Sequence, residues 1–256
     1  MKVLVTFALA SEFAPWRKMR DFREAPRAAG AQPWAPSLFE TRIGSARVHV
    51  VLTGMGSEPA RASARLALLE PYDICIASGL AGSLRPVYAP GDILAARAVQ
   101  EQQGRRVVTC DAELVESARE CGATVCDKFL TSRKLITDAT EKLRLGRLGD
   151  AVDMESFSVL AASSGRGIRS VVIRAVSDGV DMDMPLDFMR TLDPRGAIRM
   201  GRVMSHVVRR PGRLPGLVRL GRQSVRAATR LAAFLDRFVL EGANTDFRLL
   251  AKVAAG

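Results

Sequence analysis

Histidine is nearly missing from this chain: two in 256 residues, His49 and His206, at unrelated places. A histidine-rich metal centre or a Ser/His/Asp triad has little material to be built from, and no metal-ligand spacing is present. Four cysteines (Cys75, Cys110, Cys121 and Cys126) form no CxxC pair, which excludes a paired-thiol zinc or redox motif. Two of them lie in or beside apolar strand-like runs, as buried free thiols of a reducing compartment do. No apolar run reaches the roughly 18 to 20 residues needed to cross a bilayer. The opening MKVLVTFALASEF has a lysine and an apolar run, but it meets Glu12 without a small-residue cleavage pattern and alternates like a first strand. It reads as mature sequence, and the chain as cytoplasmic. Aromatics make up only 5%, too few to interleave with basic residues as a nucleic-acid stacking platform.

What is present is a globular composition, 48% hydrophobic and 25% charged, long enough for one sizeable core. The formal net charge is +11. Residues 199–256 hold eleven Arg and one Lys against Asp236, Glu241 and Asp246, or 12 − 3 = +9, leaving +2 for the other 198 residues. The basicity belongs to the tail. From 214 to 239 the pattern is that of an amphipathic helix. Leu214, Leu217, Val218, Val225, Ala228, Leu231, Ala232, Leu235, Phe238 and Val239 fall on one side, and Arg219, Arg222, Arg226, Arg230 and Arg237 on the other. Such a helix either packs on the core and shows arginine to water or makes a peripheral contact through 213–240 with an anionic membrane or an acidic partner. Nucleic acid comes last, because no recognition motif accompanies the charge.

Strand-like runs occur at KVLVTFA, VHVVLTG, YDICIASG, GDILAARAV, DAVDM and IRSVVIRAVS, alternating with helix-like stretches near 57–70, 111–121, 138–148, 154–165 and 187–208. This alternation predicts a three-layer α-β-α sandwich with a central mixed, largely parallel sheet. The RRPGRLPG break at 209–216 divides a domain over 1–208 from a basic helix over 209–256.

Ligands of open α/β folds collect at the carboxyl ends of strands. Five stretches offer polar residues there: ASEF with Glu12, TGMGSEPA with Gly54 and Gly56, SGLAGSL, VDMES with Met154 and Glu155, and RAVSDG with Arg174, Ser177 and Asp178. Each alone is weak, since Asp178 also suits a turn and Glu155 a helix start.

In this order the five stretches, with SGLAGSLRPVYAPGDIL, resemble the nucleoside phosphorylase and nucleosidase superfamily over about residues 2 to 200. The resemblance implies cleavage of a purine N-glycosidic bond without a cofactor, in a homo-oligomer. Asp178 would be the general acid toward the base, buried and kept protonated, with Ser177 orienting it. Glu155 would grip the ribose diol over Met154. Glu12 and Arg174 would position the attacking water, and Leu135 and Ile136 would line the adenine pocket. In phosphorolytic relatives a serine on the glycine turn and an arginine ahead of it hold phosphate; here those positions are Leu80 and Ala77. Arg17 and the amides around Gly54 and Gly56 remain as anion contacts, so phosphate stays open as a co-substrate.

Within the superfamily, the shortened loops and arginine-rich terminal helix are similar to a bacterial hopanoid-associated subgroup acting on adenosylhopane. The alternatives are a soluble methylthioadenosine/adenosylhomocysteine nucleosidase and a non-catalytic nucleoside binder.

Overall fold

In the computed structural model, residues 1–25, 36–183, 214–245 and 247 are described. The helix expected over 187–208 and most of the 209–216 break lie outside them. Four mutually parallel strands form the middle of the sheet: β1 (Lys2–Phe7), β4 (Ala46–Leu52), β5 (Ile74–Ser83) and β10 (Arg169–Asp178). They are buried on both faces, which is why they read as near-continuous apolar runs. β3 (Leu38–Ile43) and β2 (Arg23–Glu24) extend the sheet antiparallel at one edge.

At the other edge the sheet curls back on itself. β10 pairs with β6 (Ile93–Glu101), β6 with β8 (Thr124–Thr131), β8 with β9 (Ala151–Asp153), and β9 with β5, which pairs with β10 again. These five strands close a small barrel, and β7 (Val107–Thr109) lies against β6. The mixed sheet of the sequence reading is therefore part open and part closed, with antiparallel pairings at both margins.

Helices α2 (Ser57–Ala67) and α5 (Ser156–Ser164) pack on each other over one face of the sheet. On the other lie α1 (Ala10–Met19), α3 (Ala112–Glu120) and the long α6 (Leu214–Thr245). The short α4 (Ala139–Leu145) stands beside the barrel, capped by the Asp138 side chain, which accepts from the Glu141 amide.

The second half of α6 is part of the main core: Leu231, Leu235, Phe238 and Val239 are fully buried. Its first half departs from the sequence reading. Leu220 and Ala227 are buried, whereas Val218 and Val225 are exposed beside Arg222 and Arg226. The apolar stripe is narrower than the residue types imply, and two valines fall on the arginine side. All four cysteines are free and buried, not only the two whose apolar surroundings indicated it.

Candidate active site

A cavity of about 170 Å³ lies at the carboxyl ends of β1, β4, β5 and β10, where the parallel strands stop and their backbone groups turn inward. Glu12, Leu135, Ile136, Met154, Glu155, Ser177 and Asp178 all line it, so residues spread over the chain meet in one place. A larger hollow of about 530 Å³ between α2 and α5 is rimmed by Arg61, Arg65, Arg106 and Arg166, with Glu101 as its one acidic lining residue. It offers no acid–base pair. The smaller space is the one that gathers carboxyl groups from several elements.

Arg174 is the hub. Only 2% of its side chain is exposed, and its guanidinium is engaged at every nitrogen. Nε donates to the Ser156 hydroxyl at 3.0 Å, Nη1 donates to the Leu80 carbonyl at 3.0 Å, and Nη2 reaches Glu155 Oε2 at 3.4 Å. The Asp153 carboxylate lies 3.0 Å from Nε as an ion pair, while its other oxygen accepts from the Thr131 hydroxyl and the amides of Glu155 and Ser156. A buried guanidinium needs this many acceptors to offset its desolvation. Asp153 and Ser156 stand within the VDMES stretch on either side of the two residues singled out from sequence, and they orient Arg174.

Glu12 sits in the first turn of α1. Oε2 accepts from the amides of Ala8 and Leu9, and Oε1 from the amide of Leu80 at 2.9 Å. Burial pushes its pKa up, opposed by Arg174 and by those three amides. Gly79 makes this approach feasible: its φ is +137°, and a Cβ there would stand 3.0 Å from Arg174 Nη1 and 3.1 Å from Glu12 Oε1. Glu155 opens α5. Its Oε1 accepts from the Gly56 amide at 2.8 Å, aimed by the left-handed turn at Gly54 and Gly56 (φ +78° and +98°). Burial raises Glu155 to about 7, with Arg174 pulling down and the neighbouring Asp153 and Glu12 pushing up.

Asp178 ends β10 with 1% of its side chain exposed. The Ser177 hydroxyl donates to Oδ1 at 2.6 Å. At Oδ2 the structure holds a group that sequence reasoning missed: the ammonium of Lys142, at 2.6 Å and fully buried. Its other two N–H donors reach the carbonyls of Gly179 at 3.1 Å and Met182 at 2.9 Å, so all three are used. Asp178 is thus an ion-paired carboxyl rather than the lone buried acid expected. Lys142 lies inside α4, in a stretch that reads as an ordinary amphipathic helix, and it meets Asp178 only through the fold.

Arg17 does not reach the cavity. Five residues after Glu12 it points to another side of α1, and its guanidinium lies 4.7 Å over the Phe39 ring in an exposed position. Gly54 shapes the turn but does not line the cavity. His49 is a core residue whose Nδ1 lies 2.8 Å from the Tyr72 hydroxyl; His206 is outside the described residues. Among the described residues no cluster of metal-ligating side chains occurs.

A sequence profile described as the phosphorylase superfamily matches residues 14–209. The chain belongs to the phosphorylase superfamily. No curated protein sequence matches it. Among solved structures it is similar to the 5′-methylthioadenosine/S-adenosylhomocysteine nucleosidase of Campylobacter jejuni, with a TM-score of 0.71 at 15% identity, covering 94% of this chain and 99% of that one. A futalosine hydrolase mutant from Helicobacter pylori superposes with a TM-score of 0.69 at 17% identity, covering 94% and 99% of the two chains. The methylthioadenosine nucleosidase of Arabidopsis thaliana gives 0.71 at 16% identity, with 93% and 94% covered. At these identities the likeness is one of fold, and the superfamily fold is what gathers this member's carboxylates around Arg174.

Proposed function

We propose that this superfamily member cleaves the N-glycosidic bond of an adenine nucleoside bearing a 5′ substituent, with water as the nucleophile. The observation that carries the reading is the placement of Asp178 and Glu155 on one cavity, with the apolar side chains of Leu135, Ile136 and Met154 lining it alongside them. Cleavage builds positive charge on the sugar and negative charge on the base, so it calls for two carboxyl groups with different tasks.

Asp178, oriented by Ser177, takes a proton across its 2.6 Å contact with the Lys142 ammonium and gives it to the purine as the electrons of the C1′–N bond move onto the base. Glu155 accepts the ribose diol. Water adds its oxygen to C1′ and gives its proton to Glu12, which Arg174 and the amides of Ala8, Leu9 and Leu80 keep in place. The site is acidic where a phosphorolytic enzyme would be basic. The Gly56 and Leu80 amides that could hold phosphate already donate to Glu155 and Glu12, Arg174 is engaged on every side, and Arg17 is absent from the cavity. A phosphate dianion would have to displace the chain's own carboxylates.

For the 5′ group, adenosylhopane of hopanoid biosynthesis is the best candidate. Its support is the apolar wall that Leu9 and Met55 add to the cavity and the resemblance to the hopanoid-associated subgroup. The soluble reading, methylthioadenosine or adenosylhomocysteine, is favoured instead by the fold likeness to nucleosidases with those names. Incubating the purified protein with each of the three nucleosides, with and without phosphate, separates them by chromatography of free adenine. The reading expects adenine without phosphate and fastest release from adenosylhopane. Release only with phosphate would overturn hydrolysis, and no release from any of the three would overturn the activity.

A further inference from the structure

The outward face of the first half of α6 has no role in the cavity, yet its composition is peculiar. Val218 is 45% exposed and Val225 65% exposed, in the same stripe as the exposed Arg219, Arg222 and Arg226. At about 100° per residue, positions 218, 222 and 225 lie within a narrow sector, flanked by 219 and 226. None of these three arginines has an acidic partner among the described residues, in contrast to Arg20, which is paired with Asp236 on the packed half of the helix. A helix face built only to be solvated gains nothing from two large exposed valines set among unpaired arginines.

Direction adds a second, independent observation. The carboxyl end of α6 lies at the β3–β4 turn, where the Ser45 hydroxyl donates to the Ala243 carbonyl at 2.9 Å, at the amino ends of the parallel strands. Arg230 lies at the opposite end: it donates to the Gly91 carbonyl at 3.3 Å, and the Gly91 amide donates to Val176 near the end of β10. Between these points the helix crosses β4, β5, β10 and β6, and followed backwards it passes from the amino ends of the parallel strands to their carboxyl ends. The turns ahead of Arg230, which carry residues 218 to 226, continue toward and past the carboxyl edge of the sheet. At 1.5 Å per residue they lie roughly 6 to 18 Å beyond Arg230. That is the edge at which Asp178 and Glu155 line the cavity.

We infer that the Val218–Arg226 face of α6 docks on the surface of an anionic lipid bilayer and so holds the cavity end of the sheet toward the membrane. The valines enter the headgroup and acyl boundary, and the arginines meet lipid phosphates, the division of labour of an interfacial amphipathic helix. No helix among the described residues is long and apolar enough to cross a membrane, so the contact is peripheral. Duplex nucleic acid would use the arginines but leave the valines against water, and no aromatic side chain stands among them to stack on bases. The inference holds whether or not the substrate proves to be a lipid.

The test uses the full chain in co-sedimentation with vesicles of phosphatidylcholine alone or mixed with phosphatidylglycerol. Binding is expected only with the anionic lipid, weakening as salt is raised. The surface variant Arg219→Gln/Arg222→Gln/Arg226→Gln should bind roughly a hundredfold more weakly, three charges at about a factor of five each. Val218→Ser/Val225→Ser should reduce binding several-fold at unchanged salt dependence. Both variants should keep the wild-type rate on a soluble nucleoside, because none of the changed residues lines the cavity. The inference is overturned if wild type ignores anionic vesicles, if the variants bind as wild type does, or if duplex DNA binds more tightly than vesicles at matched ionic strength. Asp178→Asn should bind vesicles normally, so loss of the proposed chemistry leaves this result standing.

Discussion

The cavity edge of the sheet and the outer face of α6 use charge in opposite ways. Around the cavity six ionisable side chains are buried together, and they are held in place: Arg174 by four neighbouring groups, Lys142 by three acceptors, Glu12 by three amides. On α6 the arginines at 219, 222 and 226 stand in solvent with no partner among the described residues. A buried charge survives only when its hydrogen bonds are made, so the first region is rigid and intolerant. The second is a surface, free to meet something outside the molecule.

The sharpest way to break this contrast is to remove one member of a buried pair. Lys142→Met should destabilise the protein by about 3–5 kcal/mol, because Asp178 and two backbone carbonyls lose their donor while staying buried. Denaturant melts of Lys142→Met, Asp178→Asn and the double variant check it. The double should cost much less than the sum, and additive losses would mean that the two side chains are not coupled.

Glu155 gives the next effect. Its pKa is about 7 in the fold against an ordinary value of 4.5, so the folded state binds the proton more tightly. The stability it contributes is present at low pH and lost as pH rises from 4.5 through about 7, by about 3 kcal/mol at 1.36 kcal/mol per unit. Measured across that window, Glu155→Gln should show a flatter stability profile than wild type. The smallest effect belongs to α6: Arg222→Gln should change stability by less than about 0.5 kcal/mol. A larger loss there would mean that this face is structural after all.

The same contrast decides what could be read beforehand. The buried parallel strands announced themselves as apolar runs, and Glu12, Glu155 and Asp178 were found because each closes or follows a strand-like run, Arg174 because it is a charge inside one. α1 was missed because residues 1 to 13 alternate like a strand and Pro15 interrupts the helical stretch that follows. β8 was missed because Asp127 and Lys128 interrupt its apolar pattern. Closure of the barrel depends on β9, only three residues long, meeting β5 and β8. Lys142 could not be found by local spacing, since it is 36 residues from Asp178 and its helix gives no sign that one lysine points inward. Conversely, the apolar face of α6 was overread: residue type put Val218 and Val225 with the core, but the buried stripe follows Leu220 and Ala227.

The central claim is that Asp178 protonates a departing purine. It is tested most directly by adenine release from the best adenine nucleoside, comparing wild type with Asp178→Asn at saturating substrate. Wild type should release adenine, and the variant should lose roughly 10²-fold or more in kcat with little change in binding, because only the proton donor is gone. Full activity in Asp178→Asn, or no adenine from the wild-type enzyme, would contradict the account.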